Sequence, residues 1–316
     1  MESILNYLKD FNIIKDMQFS RLDNVTNHSL VYLLNGVEGL LILKEIQQSW
    51  VNESRLNEQG NFVNTMIQNG VPFSRIFQFE DQNYFLKKDD RLFTLETYTE
   101  GIEKGAFTKN VCVSLAKFLG KLHCISERLN LEFGYDGPWS VQYEQNVFNS
   151  SICEKEEFFT QTIDCLSDLN YDKDVLNDAT NLFKQKMMEL RNDLHSLPKG
   201  AVQGDLSLDN TRFNEIQEIL GAFDYNIAAD EVYIWEFVNQ IAWYQEFIQE
   251  DIDLKPLMIE AYKEERLIID KEKLVLDKWL DFVKYTRFSK FVEIQYYAKQ
   301  GDIEKVNTYL KQFLSC

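Results

Sequence analysis

The stretch that most constrains this chain is residues 201–231, AVQGDLSLDNTRFNEIQEILGAFDYNIAADE. Between Asn210 and Asp224 lie two short strand-like segments, 211–214 and 218–223, joined by Glu215, Ile216 and Gln217. That pattern predicts a small hairpin. A hairpin brings the chain back to the edge where it began, so Asn210 and Asp224 are expected side by side, with Asp205 on the loop just before them. Gly204 permits a tight turn at that loop. Two acidic turns framing a hairpin are also found on ordinary protein surface, so the rest of the chain has to decide between the readings.

The order and spacing of these three residues suit phosphate and metal chemistry. Phosphoryl transfer needs an acceptor for the proton of the attacking hydroxyl, and oxygen ligands for the magnesium that neutralises the phosphates. Asp205 fits the first role, and Asn210 and Asp224 the second. QGDLSLDN at 203–210, followed by Phe223 and Asp224, resembles the H-G-D-x-x-x-x-N and I-D motifs of the aminoglycoside phosphotransferase and choline kinase superfamily, relatives of protein kinases. The resemblance implies an α+β, two-lobed protein-kinase-like fold. A small antiparallel sheet with one helix would form a nucleotide-binding lobe over 1–97, and a larger, mostly helical catalytic and acceptor-binding lobe would span 98–316. It also implies ATP and magnesium as cofactors, and transfer of the γ-phosphate to a hydroxyl of a small molecule.

Other parts of the chain fall in the order this resemblance requires. Lys44 stands in LLILKEI, a strand whose residues are almost all apolar, where a charge is costly to bury unless paired. The resemblance makes it the lysine that holds the α- and β-phosphates and pairs with a helix carboxylate; an edge lysine facing water is the alternative. A helix is expected from 50 or 52 to 68, stopped by Asn69, Gly70 and Pro72. Glu58 is preferred over Glu53 as the carboxylate facing Lys44. The turn at 23–28 lies where the superfamily covers the phosphates; it has no glycine, so Asn24, Thr26 and Asn27 are the candidate donors. LETYTEG at 95–101 resembles the family's interlobe linker, which makes Glu96 and Tyr98 the adenine-contact candidates.

A helix is expected over 1–16, with Ile4, Leu5, Leu8, Phe11 and Ile14 on one face. Strands are expected at 17–22, 29–34, 40–46, 74–79, 84–88 and 92–97, with a turn at Asn35 and Gly36. The helix from 108 ends in LGKLH at 119–123, and His123 reads as a structural histidine bonding the backbone near the loop of Asp205. Helices are expected at 154–168 and 172–196, and from 231 to 315 throughout. Asp230 and Glu231 have two readings, as carboxylates at the acceptor site that engage an ammonium group or as the N-cap of the helix that follows.

Composition narrows the partners. The net charge of -18 in 316 residues repels phosphates at long range, which argues against nucleic-acid or anionic-membrane binding. Residues 1–97 carry 9 basic and 13 acidic side chains, so most of the negative charge lies in the remainder. That suits a cationic acceptor, or solubility alone. The absence of a long apolar run or a leader, together with five cysteines in no C-x-x-C pair, leads to the expectation of a cytoplasmic protein with free thiols. Gln203 stands where relatives of this kind have histidine, which keeps open an alternative, a catalytically idle, kinase-shaped binding protein. A protein kinase fits less well, because no A-P-E segment follows Asp224.

Overall fold

A computed structural model describes residues 1–22, 29–79, 81–142, 150 and 152–316. The chain forms two compact units. The first comprises Met1–Gly105 and Asp205–Ala228, and the second Ala106–Gly204 and Ala229–Cys316.

The first unit is built on a five-stranded antiparallel sheet. Helix α1 (Glu2–Asp10) precedes strands β1 (Ile14–Arg21), β2 (Ser29–Gly36) and β3 (Leu40–Ile46); then come helix α2 (Glu53–Gln68) and strands β4 (Leu86–Lys88) and β5 (Arg91–Thr97). The strand order is β1-β2-β3-β5-β4. Side-chain alternation gives the sheet two different faces. Leu34, Leu41, Leu43, Phe93 and Leu95 point to one face and bury against Ile4, Leu5 and Leu8 of α1. The opposite face carries Val31 of β2, Lys44 of β3, and Thr94 and Glu96 of β5.

The amphipathic run expected over 1–16 breaks at Asp10, because Asn12 turns left-handed at φ 55° and sends Ile14 into β1. The strand expected at 74–79 is replaced by single bridges. Its backbone is shared out, with Ser74 N–H bonding Ala222 O while Phe77 N–H bonds Leu95 O. Helix α2 starts at Asn52, whose side chain accepts from Arg55 N–H, and ends at Asn69 and Gly70. Its buried side is Arg55, Leu56, Gln59, Gly60, Phe62, Val63 and Met66. A Cβ at Gly60 would overlap the Tyr84 ring, so only glycine allows that close approach.

The second segment of this unit is the expected hairpin, β7 (Thr211–Phe213) paired with β8 (Ile219–Ala222). Pro72 O accepts from Ala222 N–H, and the Tyr225 hydroxyl donates to Ser74 O, which ties the hairpin to the segment after α2.

The second unit is helical, with α3 (Lys109–Leu129), α4 (Glu154–Asp168), α5 (Lys173–Leu194), α6 (Tyr233–Phe247), α7 (Leu254–Lys263), α8 (Asp270–Tyr285), α9 (Phe288–Lys299) and α10 (Ile303–Leu314). A two-stranded ladder, β6 (Lys199–Val202) with β9 (Ala229–Val232), completes it. Gly120 lets α3 approach α7 closely, since a Cβ there would sit 2.6 Å from Tyr262 O. Trp235, Phe237, Tyr244, Trp279, Phe282 and Phe291 fill the core, whereas Phe247 and Phe288 are about half exposed. No helix among the described residues is long and apolar enough to cross a membrane, and all five cysteines are free.

Candidate functional site

The first unit gathers most of the candidate residues. Phe223 N–H bonds Asn210 O at 3.0 Å, so the start and finish of the hairpin lie together. The Asn210 side-chain nitrogen donates to Asp205 twice, to the backbone O at 3.0 Å and to the carboxylate Oδ2 at 2.9 Å. With its nitrogen committed, the atom that Asn210 has to offer a cation is Oδ1. Asp224 holds a left-handed backbone at φ 65°, unusual for a residue with a side chain. Burial pushes the Asp205 carboxyl up to about 6, the nearby Asp224 charge adds to this, and the Asn210 hydrogen bond works against it.

Lys44 Nζ lies 3.0 Å from Glu96 Oε1, and both side chains are nearly buried, at 10% and 5% exposure. The register explains the pairing. Lys44 sits directly opposite Thr94, and Glu96 is two residues further along the same face of β5. Burial alone would lower the Lys44 pKa, but the charges of Glu96 and Asp224 outweigh it and hold the ammonium above the ordinary lysine value. Glu96 is raised by burial, an effect Lys44 only partly offsets.

This geometry corrects several sequence expectations. Glu58 is not the partner shown for Lys44. It accepts from Ser54 Oγ at 2.8 Å on its own helix, one position away from the buried Gln59. One residue on a helix is a rotation of about 100°, enough to turn Glu58 off the buried side. Glu96, expected as an adenine contact, instead spends its carboxylate on Lys44, and its backbone is laddered to Ile42 and bridged to Ile76. The Tyr98 N–H donates to Leu40 O at 3.0 Å, while its ring is partly exposed. Asn24, Thr26 and Asn27 lie outside the described residues.

In the second unit, Asp230 and Glu231 are buried in β9 and do not cap the helix that follows. Asp230 accepts from Phe133 N–H and Gly134 N–H at 2.8 and 2.7 Å, and burial pushes its carboxyl up to about 6. Glu231 bonds the amide of Val232 and is raised well above the usual range by burial. The helix they were expected to cap starts after Val232 and has no side-chain cap. His123 does not bond the backbone itself. Its Nε2 meets Glu236 at 2.6 Å and its Nδ1 meets the Tyr262 hydroxyl at 2.8 Å; it is Glu236 that takes the amide of Gly204, the residue before Asp205.

Among the described residues no group of three or more His, Cys, Asp and Glu is placed to hold a metal ion. The oxygen donors of Asp224 and Asn210 instead suit an ion that keeps several waters and takes further ligands from phosphates, as magnesium does.

The antiparallel sheet with its helices, followed by a mostly helical region, is a kinase-like fold. Solved structures sharing it include an aminoglycoside phosphotransferase from Alicyclobacillus acidocaldarius (TM-score 0.63, 10% identity, covering 96% of this chain and 91% of that one). Others are an amicoumacin kinase in complex with AMP-PNP, Ca2+ and Ami (0.61, 15%, 98% and 92%) and a microcompartment-associated aminopropanol kinase (0.59, 13%, 95% and 94%). No protein-family model and no curated protein sequence matches the chain.

Proposed function

We propose that this protein is a small-molecule kinase that moves the γ-phosphate of ATP to a hydroxyl group. The observation that carries the reading is the Asn210 amide bonded to the backbone O and the carboxylate Oδ2 of Asp205, next to Asp224, within a fold shared by phosphotransferases. Asp205 accepts the proton of the acceptor hydroxyl, and its raised pKa makes it a stronger base than an ordinary aspartate. Lys44 holds nucleotide phosphates with the ammonium hydrogens not given to Glu96. Asp224 and Asn210 Oδ1 would hold magnesium, which when bound neutralises charge on the phosphates. Residues 1–97 serve the nucleotide, and 98–316 carry the catalytic loop and the acceptor.

The relatives in fold support the nucleotide and the acceptor class. One was solved with AMP-PNP and a divalent cation, and an amino alcohol kinase stands among them. An amine-bearing acceptor also agrees with the acidity of the chain. The test is ADP release from magnesium-ATP across aminoglycosides, amino alcohols, hydroxy amino acids and sugars, with Asp205→Asn as control. A hit abolished in the control is expected. Loss of magnesium-ATP binding altogether would overturn the reading, and silence across the panel with ATP still bound would favour the idle, kinase-shaped binder.

A further inference from the structure

We propose that Glu96 of strand β5 is the positioning residue for the phosphate-holding Lys44, so that the lysine is aimed from within the sheet rather than by a carboxylate on helix α2. The inference rests on the phosphotransferase reading above and specifies how that site is controlled.

The geometry comes from two adjacent strands in fixed register. Lys44 and Glu96 are diagonal neighbours on one sheet face, 3.0 Å apart and both nearly buried. Their separation is set by the backbone ladder that joins β3 to β5 from Leu41 to Ile46. A buried pair of this kind is strongly disfavoured from opening, because each charge would be left alone in a poorly solvated place. Lysine has three donors, so one bound to Glu96 leaves others for phosphate oxygens.

Helix α2 offers no substitute. Its buried side presents Arg55 and Gln59 as its polar members; Arg55 bonds Trp50 O at 2.7 Å, and Gln59 reaches Asn226 O at 3.4 Å. The carboxylates of α2 are engaged elsewhere, Glu53 with Lys87 and Glu58 with Ser54. An aim set by the sheet does not depend on the position of α2, so the lysine is ready without any helix movement. This site is therefore constitutively assembled and lacks a helix-driven on-off switch.

The experiment is calorimetric titration of magnesium-ATP into wild type, Glu96→Gln, Glu96→Asp and Glu58→Gln, with thermal melting of each to confirm folding. Glu96→Gln is expected to weaken magnesium-ATP binding about tenfold or more, the scale of losing a charged hydrogen bond. Glu96→Asp keeps the charge and folds even if the glutamine variant does not; it should fall between the two because its carboxylate is drawn back by one methylene. Glu58→Gln should bind as wild type does. Weakening by Glu58→Gln with Glu96→Gln and Glu96→Asp unaffected would overturn the proposal, as would unchanged binding in all three variants. A wild type that binds no magnesium-ATP is a different result, one that removes the phosphotransferase reading together with the proposal.

Discussion

Each unit buries a cluster of charged and polar side chains, and the two clusters are balanced differently. In the second unit, Arg266 donates to both oxygens of Glu272 and to Glu127, and its guanidinium lies over the Tyr233 ring. Glu272 also takes the amide of Ile269, and Glu236 takes the amide of Gly204 together with His123. Burial lowers the His123 pKa, an effect the neighbouring Glu236 opposes. Each carboxylate there meets donors inside the fold. In the first unit, Glu96 and Asp224 both act on the ammonium of Lys44, and Glu96 and Asp205 are both raised above their ordinary values by burial and by the charge of Asp224. The comparison teaches that carboxylates paired with a buried guanidinium support structure, whereas carboxylates raised by burial and by a neighbouring negative charge are disposed to accept positive charge from outside.

The widest contrast is expected from Asp205→Asn in the first unit. Turnover should fall on the order of 10²–10⁴, the usual worth of a positioned acid or base, with the fold intact by circular dichroism; near-normal turnover would break the comparison at its centre. In the second unit, Glu272→Gln should cost about 3 kcal/mol in urea unfolding, because it leaves the buried Arg266 short of charge. A loss under 1 kcal/mol would show that Glu127 suffices alone.

The pH dependence sharpens the contrast further. Asp205 has a folded pKa of about 6 against an ordinary 3.8, so the folded state holds its proton more tightly. That contribution to stability is full below 3.8 and is lost as pH rises through about 6. Asp205→Asn should therefore be more stable than wild type at pH 8, by about 1–3 kcal/mol, and the gain should vanish toward pH 4. The same ionisation makes kcat/KM fall about tenfold per pH unit below pH 6; a flat profile there would exclude Asp205 as base. The smallest effect belongs to the surface. Lys117→Ala opens the exposed pair with Glu264 and should change stability by no more than about 0.5 kcal/mol.

Much of the fold could be read from local pattern. The apolar runs of β2 and β3, the stop at Asn69 and Gly70, and the hairpin after Asn210 each rest on interactions between near neighbours in sequence. The arrangement around Lys44 was harder to read, because α2 buries Arg55 and Gln59. With polar residues on its inner side, hydrophobic spacing does not fix the rotation of the helix, and Glu58, placed through the resemblance by its distance from Val71 and Pro72 beyond the helix, lies one residue off the buried Gln59. The resemblance of LETYTEG to an interlobe linker points Glu96 to the adenine, yet the structure places Glu96 inside the sheet and buries it with Thr94. The available signal was a pair of opposite charges, Lys44 and Glu96, lying among apolar residues of two separate strands.

Asp224 occupies a backbone region that costs a side-chain-bearing residue about 1 kcal/mol or more relative to glycine. Heat would be an indifferent judge of such a position. A library of variants sieved only for survival at high temperature would drift toward glycine or asparagine at 224 and asparagine at 205, and under the proposed function its winners would be sturdier and inert. Any effort to harden this protein for use has to hold both positions fixed and seek its gains among the helices of the second unit.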